Sequence, residues 1–184
     1  FHRRYPGIHL RITNDSTPRA MEGLLRGQVD CAAVTTPCPV RKSLQETALV
    51  SFREILICGS DFHDLTAETR SLRDMENLPF VCMSRGTSTY IFYQQLFLKH
   101  NLAFHVEMEA GTMDQVPAMV QSNLGVGFYP ESMAASALAA GTVFQIRLAE
   151  PIPERFVNLI EDTSRPQSVA MKAFKKMLLA PEEE

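Results

Sequence analysis

The sequence has no tryptophan and only 8% aromatic residues, and its four cysteines form no C-x-x-C pair. That excludes a thioredoxin-type redox pair and the usual zinc knuckles. Cys31, Cys58 and Cys82 lie within apolar runs, where cysteine acts as a small buried hydrophobe. Cys38 stands between two prolines and is expected to be exposed. All four read as reduced thiols of a cytoplasmic protein. No apolar run is long enough to cross a bilayer. Eighteen Lys and Arg stand against 21 Asp and Glu, a net charge of -3, and no basic cluster marks a nucleic-acid surface. The five histidines, His2, His9, His63, His100 and His105, are scattered without a metal spacing. No H-E-x-x-H, G-x-S-x-G, Walker loop or G-x-G-x-x-G occurs. The reading is of a protein that catalyses nothing and needs neither metal nor cofactor.

What is present is globular: 45% hydrophobic and 21% charged residues, a composition that builds a core. Ile8, Leu10 and Ile12 alternate with His9, Arg11 and Thr13, the period of a strand with one face buried. Ser16 or Thr17 caps a helix carrying Met21, Leu24 and Leu25, ended by Gly27. Val29–Val34, Arg53–Gly59 and Leu78–Met83 read as buried strands. A helix from about Thr89 to His100 follows, with Asn101 as its cap, then a half-exposed strand through Phe104, Val106 and Met108. Further on come an Ala-rich helix over Glu131–Ala140 and strands at Val143–Leu148 and Phe156–Ile160. A terminal helix follows a Ser164-x-x-Gln167 capping box. Strands alternating with helices indicate an α/β fold with mainly parallel sheets.

The run SRGTST at 84–89 is a site candidate on chemistry alone. A strand ends at Ser84, a turn forms at Gly86, and a helix starts near Ser88 or Thr89. Open α/β sheets bind ligands at the carboxyl ends of their strands, and a helix start offers free N–H groups to an anion. Arg85 adds charge, and Thr87, Ser88 and Thr89 add hydroxyls. The same spacing fits an ordinary N-cap beside a solvated Arg85 equally well.

The stretch TMDQVPAMVQSNLGVGFYP (112–130) organises the chain. Thr112 and Gln115 have capping-box spacing, and Val116, Met119, Val120 and Leu124 share a helical face. Asn123 and Gly125 tolerate the left-handed backbone that ends a helix, and Val126–Tyr129 is a short buried strand stopped by Pro130. Together with MVQSNLGVGFYPESMA, the following LAAGTVFQIRLAEP resembles the effector-binding domain of LysR-type transcriptional regulators. Asn123 replaces the usual glycine, and Pro117 is expected to bend the helix.

The resemblance implies a type 2 periplasmic-binding-protein fold of two lobes. Residues 1–55 and 156–184 would form lobe I and residues 56–155 lobe II, with crossings near Arg53–Gly59 and Pro153–Leu159. In that family a helix-turn-helix and a first strand of lobe I precede a motif like RRYP, so both are expected to lie outside these residues. DNA would be touched only through that helix-turn-helix. The strand's absence predicts a strand-wide gap between Ile8–Thr13 and Val29–Val34. A small effector, a carboxylate or other small anion, is expected between the lobes. Its contacts would be Thr35, Thr36, Ser84, Arg85, Gly86, Thr87, Ser88, Phe128, Tyr129 and Pro130, with Phe128 the more core-facing and Tyr129 offering its hydroxyl. Family members pair side by side, which implies a homodimer or higher homo-oligomer through Ile8–Thr13 and Glu131–Ala140. The alternative is a transport solute-binding protein of the same fold.

Overall fold

The computed structural model describes residues 1–38 and 42–180. The middle of the proline-rich loop (39–41) and the PEEE tail therefore lie outside the described residues. Two sheet systems share the chain. In the first, the order is β1-β8-β2, with β8 (Arg155–Asp162) antiparallel to both β1 (Ala32–Thr35) and β2 (Leu44–Phe52). Helix α1 (Thr17–Leu25) lays Met21 and Leu24 on Ala32, Val34, Leu44 and Ile160. Side chains alternate across a strand, so Glu161 points the other way, where it meets Gln167 and Lys175 of the terminal helix α6 (Val169–Leu178). The two helices thus cover opposite faces.

The second system is centred on β3 (Glu54–Cys58), which is buried along its whole length. It pairs antiparallel with β6 (Gly127–Pro130) and β7 (Phe144–Ile146). Strands β4 (Phe80–Met83) and β5 (Val106–Ala110) pair in parallel, and a bridge from Phe80 to Val126 ties them to the β6 side. Leu56 and Cys58 face an aromatic core of Phe80, Tyr93, Phe97 and Phe128 beneath α3 (Ser88–Lys99). Ile55 and Ile57 face a second core with Val116, Val120, Tyr129 and Ala134, supplied by α4 (Gln115–Gln121) and α5 (Glu131–Ala139). A short α2 (Leu72–Met75) carries a true capping box between Ser71 and Asp74. The chain passes from the first system to the second through Arg53 alone, and returns over residues 147–154.

The architecture is α/β, but its sheets are not mainly parallel: among ladders between named strands, only β4–β5 runs parallel. Both crossings deliver a strand into the centre of a sheet whose neighbours run the other way. Other local expectations shift for identifiable reasons. Ile8–Thr13 forms no strand; Ile12 is 88% exposed, and a side-chain bond from Arg11 to the Gln28 carbonyl (2.9 Å) ties the segment down. Alternation makes a strand only where a neighbour takes its N–H and C=O groups, and among the described residues β1 pairs with β8 alone. The two segments accordingly do not pair with each other. Ser164 turns back onto Asp162, and Ser168 caps the terminal helix instead, accepting from the Met171 N–H at 3.1 Å. Gln115 reaches back to the Gly111 and Thr112 N–H groups (2.9 and 3.3 Å), but the helix begins at Gln115 itself. Pro117 therefore sits in the first turn, where it removes no helical hydrogen bond.

Asn123 takes the left-handed conformation (φ 60°) and its amide has a further use. Its Oδ1 accepts from the Asp61 N–H (3.0 Å), and its Nδ2 donates to Ser60 Oγ (3.1 Å), pinning the 3-10 turn Ser60–Thr66. Gly125 has φ +154°, and a Cβ there would sit 2.3 Å from the Pro79 carbonyl oxygen, which accepts from the Val126 N–H (2.9 Å) at the same point. Gly125→Ala is therefore expected to destabilise the protein by at least about 1–3 kcal/mol, a fall in Tm of roughly 2–4 °C per kcal/mol. Differential scanning calorimetry checks this; an unchanged Tm would contradict the packing described here.

Candidate functional site at the junction of the two sheets

Where the chain crosses between the sheet systems, one cation collects groups from both. Arg155, at the start of β8, has a side chain 2% exposed and pairs with Glu54, at the start of β3, whose side chain is 0% exposed. Its Nη1 donates to both Glu54 oxygens at 3.1 and 3.2 Å. Its Nε donates to the Thr36 carbonyl at 2.7 Å, and its Nη2 to the hydroxyls of Thr35 and Thr89, each at 3.2 Å. The rings of Phe92 and Phe52 lie against the guanidinium, 4.8 and 5.5 Å from its centre. Arginine's planar fork suits such multiple fixed contacts, and a buried charge persists only when paired and hydrogen-bonded in this way.

Of the sequence-derived candidates, Thr35 and Thr36 contact Arg155 directly. Thr35 is the last residue of β1 and Thr36 follows it. Thr36 Oγ1 also accepts from the Phe156 N–H at 3.0 Å, while its own N–H donates to the Phe156 carbonyl at 2.9 Å. Ser84 donates to the Ala110 carbonyl, so it closes the β4–β5 ladder. Gly86 makes the turn at φ +83°. Thr87 is the N-cap of α3: its hydroxyl accepts from the Tyr90 N–H (3.2 Å) and donates to the Ser84 carbonyl (2.8 Å). Ser88 is buried at the first helical position. Arg85 is exposed and lies 3.7 Å from Glu109, a surface pair worth about 0–1 kcal/mol.

The β6 residues sit apart from these hydroxyls. Phe128 is in the aromatic core, stacked on Tyr93 at 4.4 Å. Tyr129 is buried in the other core, and burial raises its phenol pKa above the usual value. Pro130 lies opposite Glu54 in the β3–β6 register and precedes α5. The arrangement thus brings Thr35, Thr36 and Thr89 together on Arg155, while Phe128 and Tyr129 belong to the two cores. Tyr93 adds a fully buried hydroxyl with no hydrogen-bond partner among the described residues; its pKa is pushed well up by burial and by the neighbouring Glu54.

Glu54 and Arg155 went unnoticed in the sequence, where each looks like an ordinary charged residue at a strand start. The only signal was position: both stand at a crossing between sheets, in otherwise apolar strands. Among the described residues no group of His, Cys, Asp and Glu is placed to hold a metal, and no helix is long and apolar enough to cross a membrane. Burial pushes the thiol of Cys82 up to about 12 and those of Cys31 and Cys58 to about 11. Cys38 is only partly exposed, packed against the first sheet's core.

Two α/β sheet systems, joined by two crossings over a buried ion pair, define a type 2 periplasmic-binding-protein-like fold. The chain belongs to the LysR substrate binding domain family, whose model matches residues 1–181. It is 26% identical over 184 residues to a "Probable RuBisCO transcriptional regulator" of Guillardia theta, covering 97% of this chain and 59% of that protein. The chain spans about three-fifths of the length of such curated relatives. In structure it is similar to the CcmR regulatory domain of Synechocystis PCC6803 in complex with 2-PG, with TM-score 0.85 at 18% identity, covering 97% of this chain and 85% of that one. The effector binding domain of QuiR in complex with shikimate gives TM-score 0.75 at 18% identity, over 90% and 77% of the two chains. At these identities the likeness establishes the fold.

Removing one member of a buried ion pair leaves the other unpaired and costs about 3–5 kcal/mol, whereas replacing both by apolar groups of similar volume can be nearly neutral. Arg155→Met should therefore lower the unfolding free energy by about that amount, and adding Glu54→Leu should restore part of the loss. Urea denaturation of both variants checks the coupling; strictly additive losses would contradict it.

Proposed function

We propose that this chain is the ligand-sensing part of a transcription regulator and binds a small anionic effector between two lobes. Residues up to Arg53 and from Arg155 onward would make one lobe and residues 54–154 the other, so that the division expected at 1–55, 56–155 and 156–184 moves by one or two residues, with hinges at Arg53 and at residues 147–154. The observation that carries this reading is the convergence of Thr35 and Thr36, at the end of β1, with Thr89, at the start of α3, around Arg155. Hydroxyls from both sides of a junction can hold one ligand and thereby favour one lobe angle. The first turn of α3 supports an anion, since its leading N–H groups have no intrahelical acceptor and carry the positive end of the helix dipole. Ser84, Arg85, Gly86, Thr87 and Ser88 would form that side of the site, and Phe128, Tyr129 and Pro130 its backing. The protein would act by binding rather than by catalysis, and would work in the cytoplasm.

The effector would act by shifting the conformational balance of a homo-oligomer that meets DNA through a separate helix-turn-helix. Exposed Met133 on α5 offers an apolar contact for such pairing. Because Ile8–Thr13 is not a strand, pairing through it would need that segment to be ordered by a neighbour. Relatives named as transcriptional regulators and neighbours solved with 2-PG and with shikimate support the reading.

A thermal-shift screen of the protein against small carboxylates, organic phosphates and their neutral analogues, with 2-PG and shikimate included, tests it. The expected result is stabilisation by one or more anions, growing with concentration as a ligand at 100-fold its Kd adds about 2.7 kcal/mol, and weakened in Arg85→Ala. Stabilisation by neutral analogues while the anions do nothing would overturn it.

A further inference from the structure

The threonines around Arg155 differ in how their hydroxyls are used, and the difference bears on what they can bind. A hydroxyl has one hydrogen to donate and lone pairs to accept with. Thr87 uses both roles inside the protein, accepting from Tyr90 N–H and donating to the Ser84 carbonyl. Its hydrogen is therefore not available to a ligand. Thr35 and Thr89 each accept from Arg155 Nη2, and among the described residues neither has a protein acceptor for its hydrogen. Thr36 has the same pattern, accepting from the Phe156 N–H. Thr35, Thr36 and Thr89 are all half-buried, so a ligand can reach them, while Arg155 itself is sealed by Glu54 and the flanking rings.

We propose that Arg155 is a positioning residue of the ligand site, which makes the hydroxyls of Thr35 and Thr89 obligate donors to the ligand. An arginine has no acceptor, so a hydroxyl facing its N–H can present only oxygen to it, and the hydrogen must turn elsewhere. One hydroxyl stands at the end of β1 and the other at the start of α3, and both are tied to the same nitrogen. Each oxygen lies 3.2 Å from that nitrogen, and its O–H is polarised by the charge that draws on it. Each oxygen keeps one further lone pair, but each hydrogen still needs an acceptor, so the group that satisfies both hydrogens is an oxygen acceptor: a carboxylate or phosphate oxygen. This deepens the function proposed above and rests on it: Arg155 sets the sign of the site without touching the ligand.

The experiment uses inorganic phosphate as the probe, with ammonium as the control cation, and follows threonine methyl resonances by NMR in the intact protein. In the wild type, phosphate should shift the Thr35 and Thr89 methyl signals saturably, and ammonium should not. Thr35→Val and Thr89→Val should each weaken phosphate binding about tenfold, the loss of one hydrogen bond to a charged group. The Thr→Ser variants should return to within about threefold of wild type. Arg155→Lys keeps the charge but loses the fork, and should weaken phosphate binding comparably while leaving methyl signals of the aromatic core in place. The Val and Ser series decides the matter if Arg155→Lys does not fold. Phosphate affinity unchanged in both Val variants, or phosphate shifts confined to other residues, would overturn the proposal. If carboxylates or organic phosphates still stabilise the protein in the thermal screen, the cleft reading survives that failure. If none does, both fall together.

Discussion

The buried pair of Glu54 and Arg155 is the constraint on which the arrangement depends. Each residue opens a central strand, β3 in one sheet system and β8 in the other, so the pair fastens the two centres at the point where the chain crosses. Neither charge can be left alone in such a place, because desolvating an unpaired ion costs several kcal/mol. The surrounding contacts follow from that requirement. The end of β1 supplies a carbonyl and a hydroxyl, α3 supplies a second hydroxyl, and Phe92 and Phe52 close over the guanidinium. A structural necessity has thereby brought hydroxyls from β1 and α3 onto one nitrogen.

The rest of the packing holds those groups in position. Strand β3 presents alternate side chains to two cores, an aromatic one under α3 and an aliphatic one under α4 and α5. The aromatic core fixes α3 through Tyr93 and Phe97, and α3 in turn carries Thr89 to Arg155. In the first system β8 is paired on both edges, which anchors Arg155. Side chains tie down the chain near the second sheet as well: Asn123 holds the 3-10 turn that follows β3, and Glu150 accepts from the Leu72 N–H at 2.9 Å. Rigid elements thus surround a junction made of short connections, the geometry in which a small ligand can bias an angle.

Much of this was legible in the sequence, and the reasons differ from element to element. The VGFYP strand and the left-handed Asn123 were readable because local chemistry determines them. The apolar run EILIC was readable because a strand buried on both faces has no polar alternation to confuse it. The β2 strand, LQETALVSF, was passed over, since its mixed pattern reflects one edge open to solvent and a register slip between Ala48 and Val50. Ile8–Thr13 has a good strand pattern and no ladder partner, so pattern alone misled. The turn at 84–89 was found from its glycine and hydroxyls, but spacing cannot tell that Thr87 is spent as a cap while Thr89 is not. Arg155 and Glu54 are 101 residues apart, and nothing local to either announces the other. Long-range pairing of single charges is what a lone sequence hides best.

The most direct test of this account is a high-resolution crystal structure of the protein grown or soaked with a stabilising anion. The account predicts the anion within hydrogen-bond distance of the Thr35 and Thr89 hydroxyls, with Arg155 still paired to Glu54 and making no contact with the ligand. An Arg155 side chain that leaves Glu54 to bind the anion itself, or an anion bound away from both threonines, would contradict it.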